Sequence, residues 1–182
     1  MPRAQWQLEH MQALRQQYPQ AAQAGPLFHG TDVPPDQVLL EGIPATGGEN
    51  FQLADHQRQQ GQLPHERSAL RGSCEQAHIP AAFAGSGGYV YKFYPLGGGI
   101  DVNAALGDKH LNLATGQLRG SLMPGEQEIA FASYQPGCQI EGYYVVGDYS
   151  DVHEKYRLGQ FVANPHFQPL PTWPSWTQSI AA

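Results

Sequence analysis

Two glutamates separated by one residue stand in the run Glu126-Gln127-Glu128-Ile129-Ala130-Phe131. In an extended chain alternate side chains share a face, which sets the two carboxylates side by side about 7 Å apart. Such a pair beside a Gly-rich loop suits the breaking of a glycosidic bond. One carboxylate stabilises a developing oxocarbenium ion, while the other moves a proton or orients the acceptor. Ile129 and Phe131 then face the opposite side, towards a core. The same triplet also fits two solvated glutamates on a strand edge, and spacing does not choose between them. Other reactive residues offer less. Cys74 and Cys138 show no C-x-x-C spacing, so free thiols are expected. The eight histidines form no H-x-x-x-H or H-E-x-x-H pair, which argues against a structural zinc site.

The elements that must hold these residues are legible in part. Trp6, Met11, Leu14 and Tyr18 recur near one face of an amphipathic helix over 4–18, which Pro19 stops. Residues 26–30 read as a short strand entering a turn. A helix follows within 32–42, with Asp32 as its capping residue, prolines at its first turn and Gly42 just past its end. A second helix is expected over 51–60, and one over 73–84 that Pro80 breaks or kinks. Beyond the turn at Gly85-Ser86-Gly87-Gly88, the aromatic and β-branched run Tyr89 to Tyr94 predicts a strand. Residues 107–125 read as a polar loop, and 128–132 and 140–146 as two more strands. The tail from Asn164 is rich in Pro and Trp without periodicity.

The chain has 182 residues, 41% apolar and 14% charged, which suits one globular domain with a full core. With 21 Gly and 15 Pro it is rich in loops and β structure, against a helical bundle. No internal repeat or domain boundary is visible, so a single α+β domain over 1–182 is expected. The net charge of −6 gives no overall field for gripping a phosphate backbone, although a local basic patch is compatible with it. No apolar run approaches the roughly 20 residues needed to cross a bilayer. The N-terminus lacks the apolar stretch of a signal peptide. The expectation is a chain not exported by the general route, or a piece cut from a longer protein.

Three segments carry a more specific signal. EQEIAFASYQPGCQIEGYYVV, Glu126 to Val146, resembles without a gap the corresponding stretch of the heat-labile enterotoxin and cholera toxin A chains. YVYKFYPLGGGIDVNAALG, Tyr89 to Gly107, is similar to their Tyr-rich strand followed by V-N-x-x-L-G. LFHGTDVPPDQVLLEG, Leu27 to Gly42, is similar to their opening strand and P-P-[DE]-x-[IV] helix. All three occur in the family's order. The family is the mono-ADP-ribosyltransferases, which cleave NAD+ and move ADP-ribose to an acceptor, commonly a protein arginine. The resemblance implies two small, roughly perpendicular antiparallel sheets around an NAD+ cleft, with flanking helices and no metal.

It also implies roles, unevenly matched. Glu128 takes the catalytic position, bonding the nicotinamide-ribose 2′-OH and stabilising the cation as nicotinamide leaves. Glu126 sits where arginine-directed members place the glutamate that engages the guanidinium, and Leu118 to Gly125 would present the acceptor. The opening-strand arginine of the enterotoxins is His29 here. Aromatic-His-Gly-Thr, Phe28 to Thr31, resembles instead the diphtheria-toxin branch, where the His contacts the adenine-side ribose; His29 and Gly30 are therefore assigned to NAD+. The S-T-S strand survives only as Ser68 in Arg67-Ser68-Ala69-Leu70, with Ser73 as its substitute. Glycines 97–99 and Asn103 are expected to shape a loop rather than take part in chemistry.

The expected protein is thus a toxin-like effector that ADP-ribosylates an arginine of a target protein. It would be secreted without a general signal peptide and act in a target-cell cytoplasm, with an immunity protein as a further partner and no membrane. Hydrolysis of NAD+ by water, transfer to nucleic acid, and a non-catalytic binding domain stand as alternatives.

Overall fold

The structure, a computed structural model, describes residues 3–56, 68–107 and 127–168. The chain forms two compact units, each drawn from three stretches. The first comprises Met1–Gln23, Ala45–Gly72 and Gly97–Tyr134, and the second Ala24–Pro44, Ser73–Leu96 and Gln135–Ala182.

The first unit is built on a four-stranded antiparallel sheet. Its strands are β1 (Ala22–Gln23), β5 (Gly99–Asp101), β6 (Ile129–Ala132) and β3 (Leu70–Ser73), in the order β1-β5-β6-β3. Ile100 pairs with Ala22 on one side and Ala130 on the other. All four residues of β6 are buried, so this strand is covered on both faces and its run Ile-Ala-Phe-Ala carries no polar residue. Helix α1 (Arg3–Gln17) buries Met11 and Leu14 against Ile100 and Ala130, with Trp6 and Tyr18 beside them, as the spacing of these four residues implies. Helix α5 (Val102–Leu106) starts where the Asp101 carboxylate accepts the Ala104 N–H at 2.9 Å.

The second unit has a five-stranded antiparallel sheet: β2 (Leu27–Thr31), β4 (Tyr89–Phe93), β7 (Ile140–Ser150) and β8 (Lys155–Leu158) in that order, with β9 (Val162–Ala163) also paired to β7. The register sets His29 opposite Tyr91, and Tyr91 opposite Tyr143. The buried Tyr91 hydroxyl donates to the Val33 carbonyl at 2.7 Å, and burial pushes its pKa up. Helices α2 (Pro35–Glu41) and α4 (His78–Ala84) belong to this unit, and Ala81 of α4 packs in a cluster with Val90 and Val146.

Several expectations are corrected. The residue capping α2 is Pro34, with no side-chain bond, and not Asp32. Pro34 and Pro35 fix the φ angles the first turn needs, so the helix starts without a capping side chain. The helix expected over 73–84 begins only at His78. Ser73 ends β3, and Cys74 exchanges both backbone hydrogen bonds with Phe28 at 2.8 and 3.0 Å. Pro80 lies in the first turn of α4, where a missing N–H costs nothing, and the helix runs unbroken through it. The helix expected over 51–60 is one turn, α3 (Leu53–His56), in the described residues. Cys74 and Cys138 are free thiols, the first buried.

Candidate active site

The first unit gathers three polar side chains from distant parts of the sequence. Glu128 immediately precedes β6, and its carbonyl accepts the Val102 N–H at 3.0 Å, which ties it to the end of β5. Its Oε1 lies 2.8 Å from His56 Nε2. The other ring nitrogen, Nδ1, lies 3.0 Å from Ser68 Oγ, and Ser68 Oγ accepts the Leu70 N–H at 2.9 Å. A carboxylate offers no proton, so the His56 Nε2 carries the hydrogen and donates it. At Nδ1 the ring shares a second hydrogen bond with the Ser68 hydroxyl. The result is a hydrogen-bonded relay from Ser68 through His56 to Glu128.

Local sequence explains why His56 reaches that place. The Asn50 side chain accepts the Gln52 N–H at 2.8 Å and so turns the chain into α3. The Asn50 carbonyl accepts the Ala69 N–H at 2.8 Å, which fastens this turn to the residue next to Ser68. Phe51 and Leu53, both buried with Met11 and Leu14, anchor α3 to the core. His56 therefore projects from a short helix held at two points.

The opposite wall is close. A Cβ built on Gly72 of β3 would stand 2.8 Å from Glu128 Oε1, so the carboxylate lies directly against backbone that only glycine leaves bare. Gln127 has φ of 48°, a conformation that L residues rarely adopt. The chain entering Glu128 is thus not extended, and the alternation expected to align Glu126 with Glu128 does not hold through Gln127. The His56 and Glu128 side chains are 11% and 17% exposed, partly withdrawn from water yet reachable.

Of the residues singled out by sequence, the structure brings Glu128 and Ser68 together, but through His56 instead of directly. Ser73 is buried at the end of β3, 6% exposed. Glu126 and the acceptor loop Leu118 to Gly125 lie outside the described residues. His29 and Gly30 are on β2 of the second unit, with His29 buried. A Cβ on Gly30 would lie 1.9 Å from the Pro80 carbonyl oxygen, so α4 packs flat on β2 at that point. Sequence reading missed His56. Its only signal is a histidine within a predicted helix that precedes a serine, a pattern with no chemical spacing of its own.

By sequence, neither a family model nor a curated protein matches the chain. Solved structures do match in fold. A guanine-specific ADP-ribosyltransferase is 21% identical, with 81% of this chain and 80% of that one covered at a TM-score of 0.55. The scabin toxin from Streptomyces scabies, in complex with NADH, is 19% identical over 81% and 78% at 0.52. A variant of the heat-labile enterotoxin A subunit is 19% identical over 78% and 75% at 0.50. At these identities the likeness is one of fold. The chain has the α+β fold of the ADP-ribosyltransferase toxins.

Proposed function

We propose that this protein cleaves NAD+ at its nicotinamide–ribose bond and transfers ADP-ribose to an arginine of a target protein, as a toxin-like effector. The observation that carries this reading is the Ser68–His56–Glu128 relay, a single carboxylate fixed by its own donor on a fold shared with ADP-ribosyltransferases. The structure with NADH among its fold neighbours makes NAD+ the natural substrate to test.

Glu128 accepts a hydrogen bond from the nicotinamide-ribose 2′-OH and opposes the positive charge that builds on the ribose as neutral nicotinamide leaves. His56 holds the carboxylate in one rotamer, and Ser68 holds the ring in one tautomer. Glu126 receives the acceptor guanidinium and takes its proton once a nitrogen has bonded to the ribose. His29 bonds the adenine-side ribose. Its imidazole makes a single directional contact there and not the bidentate phosphate clamp of an arginine. The protein acts inside a target cell, and a producer exposed to it would carry an immunity protein against it. A second reading, transfer to a nucleic-acid base, is favoured by the guanine-specific neighbour.

The experiment is incubation with NAD+ and a mixed protein or nucleic-acid acceptor, following nicotinamide release and locating the adduct by mass spectrometry. Glu128→Ala should lower release about 100-fold or more, since one such electrostatic contact is worth roughly 3–4 kcal/mol. The melting temperature should barely change. Release near the wild-type rate from this variant would overturn the assignment, and an adduct on guanine would move the acceptor from arginine to nucleic acid.

A further inference from the structure

The second unit contains a hollow of about 370 Å³ beside the β7–β8 hairpin and the start of α4. His78, His153, Lys155 and Arg157 line it, and no carboxylate does. Asp151 and Glu154 belong to the same turn but do not line it, so the positive character is confined to the wall of the hollow. Lys92 pairs with Glu141 at 2.8 Å, and burial lowers the pKa of both Arg15 and Arg71. Lys155 and Arg157, by contrast, form no ion pair or side-chain hydrogen bond among the described residues.

A second observation comes from Ser150, which also lines the hollow. Ser150 is only 7% exposed, and its hydroxyl has no hydrogen-bond partner among the described residues. Its hydroxyl oxygen keeps contact with solvent, so it stands at the wall of the hollow as a donor that a bound anion can reach. Tyr156 and Leu158 pack with Ala81 and Ala84 of α4, and the Tyr156 ring meets Tyr149 edge-on at 5.2 Å. These contacts hold β8 in place and give the hollow one apolar wall.

We propose that this hollow binds a small phosphate-bearing anion. Arg157 supplies a planar fork, Lys155 a compact charge, and the two imidazoles and Ser150 further directional donors, which together match a tetrahedral oxyanion with several acceptor oxygens. The volume lies in the range of small-molecule sites and limits the ligand to one or two phosphates with at most a compact organic group. The site is independent of the NAD+ reading. It lies wholly within the second unit, whereas Glu128, His56 and Ser68 belong to the first.

The test is titration of the full-length chain with inorganic phosphate, pyrophosphate and ribose 5-phosphate, read by backbone amide NMR and not by nicotinamide release. Saturable shifts are expected across 150–158 and at His78. The double variant Lys155→Ala, Arg157→Ala should bind at least ~10-fold more weakly, as for lost charge-assisted bonds, with an unchanged melting temperature because both side chains are exposed. Ser150→Ala should weaken binding several-fold. Equal affinity for pyrophosphate and ribose 5-phosphate identifies the free ion as ligand. Tighter binding of ribose 5-phosphate, with shifts at Tyr156, identifies a phosphate ester. Absence of saturation by about 10 mM, or undiminished binding by the double variant, would overturn the proposal. So would a single-stranded oligonucleotide binding ~100-fold more tightly than pyrophosphate, since the surface would then follow a strand.

Discussion

Glu128 is held by contacts that differ in kind, and each makes its own demand on the chain. The donor side is His56, which meets the carboxylate through one hydrogen bond and, on the proposed function, positions it. His56→Ala should lower kcat by ~10–100-fold, in line with a lost bond to a charged group, while KM for NAD+ changes little. Ser68 reaches the carboxylate only through the ring. Ser68→Ala should therefore cost activity in the wild type and almost none in the His56→Ala background. Additive losses in that cycle would mean that Ser68 acts independently. The steric side is Gly72. A methyl group 2.8 Å from Glu128 Oε1 pushes the carboxylate, a flexible end, and leaves the backbone in place. Gly72→Ala should then reduce nicotinamide release ~10-fold or more, because small misplacement of a reacting group is costly, with a melting temperature within a few degrees of wild type. Full activity in Gly72→Ala would show that the carboxylate works from a different position.

At the scale of elements, the strongest sequence signals were runs of aromatic, β-branched and apolar residues and the four spaced apolar residues of α1. The Tyr-rich run became β4, the apolar run after Glu128 became β6, and the stripe of α1 is buried as its spacing implies. Glu128 could be singled out in the sequence because an acidic pair beside such a strand is a local pattern. His56 was not, since its partner is 72 residues away and only tertiary folding joins them. The non-extended backbone at Gln127 was equally hidden, because glutamine carries no intrinsic preference for positive φ. Gly30 looked like a ligand-side residue, yet its bare Cα has an element-level cause in the contact of β2 with α4. A Cβ placed 1.9 Å from the Pro80 carbonyl meets backbone, which cannot swing aside. Gly30→Ala should force the helix and strand apart at a cost of about 1–3 kcal/mol, as for overpacking. For a protein of this size that is a fall in melting temperature of roughly 2–12 °C. A variant as stable as wild type would mean that α4 is not seated against β2 as described.

At the scale of the molecule, the decisive feature is how the sequence is shared between the two units. The chain passes from one to the other at residues 23–24, 44–45, 72–73, 96–97 and 134–135, so neither unit is a contiguous stretch. Each sheet depends on segments far apart in sequence: β1 pairs with β5 through Ala22 and Ile100, and β4 pairs with β7 through Val90 and Tyr144. Such pairings have to close long loops before they gain contacts, which favours slow, cooperative folding. A fragment ending after Leu96 makes the dependence testable. It retains β1 and β3 but neither β5 nor β6, so the first sheet has lost both of its inner strands. It retains β2 and β4 with the short helix α4 on them but has lost β7, β8 and β9, three of the five strands of the second sheet, and so small a remnant is marginal in water. The fragment should therefore give collapsed amide dispersion in NMR and no near-ultraviolet dichroism, despite containing more than half of the residues. The intact chain, in which unfolding either unit releases segments that tether the other, should melt in one calorimetric transition. A folded fragment, or two resolved transitions in the intact chain, would show that one unit is stable on its own and that the interleaving does not impose cooperativity.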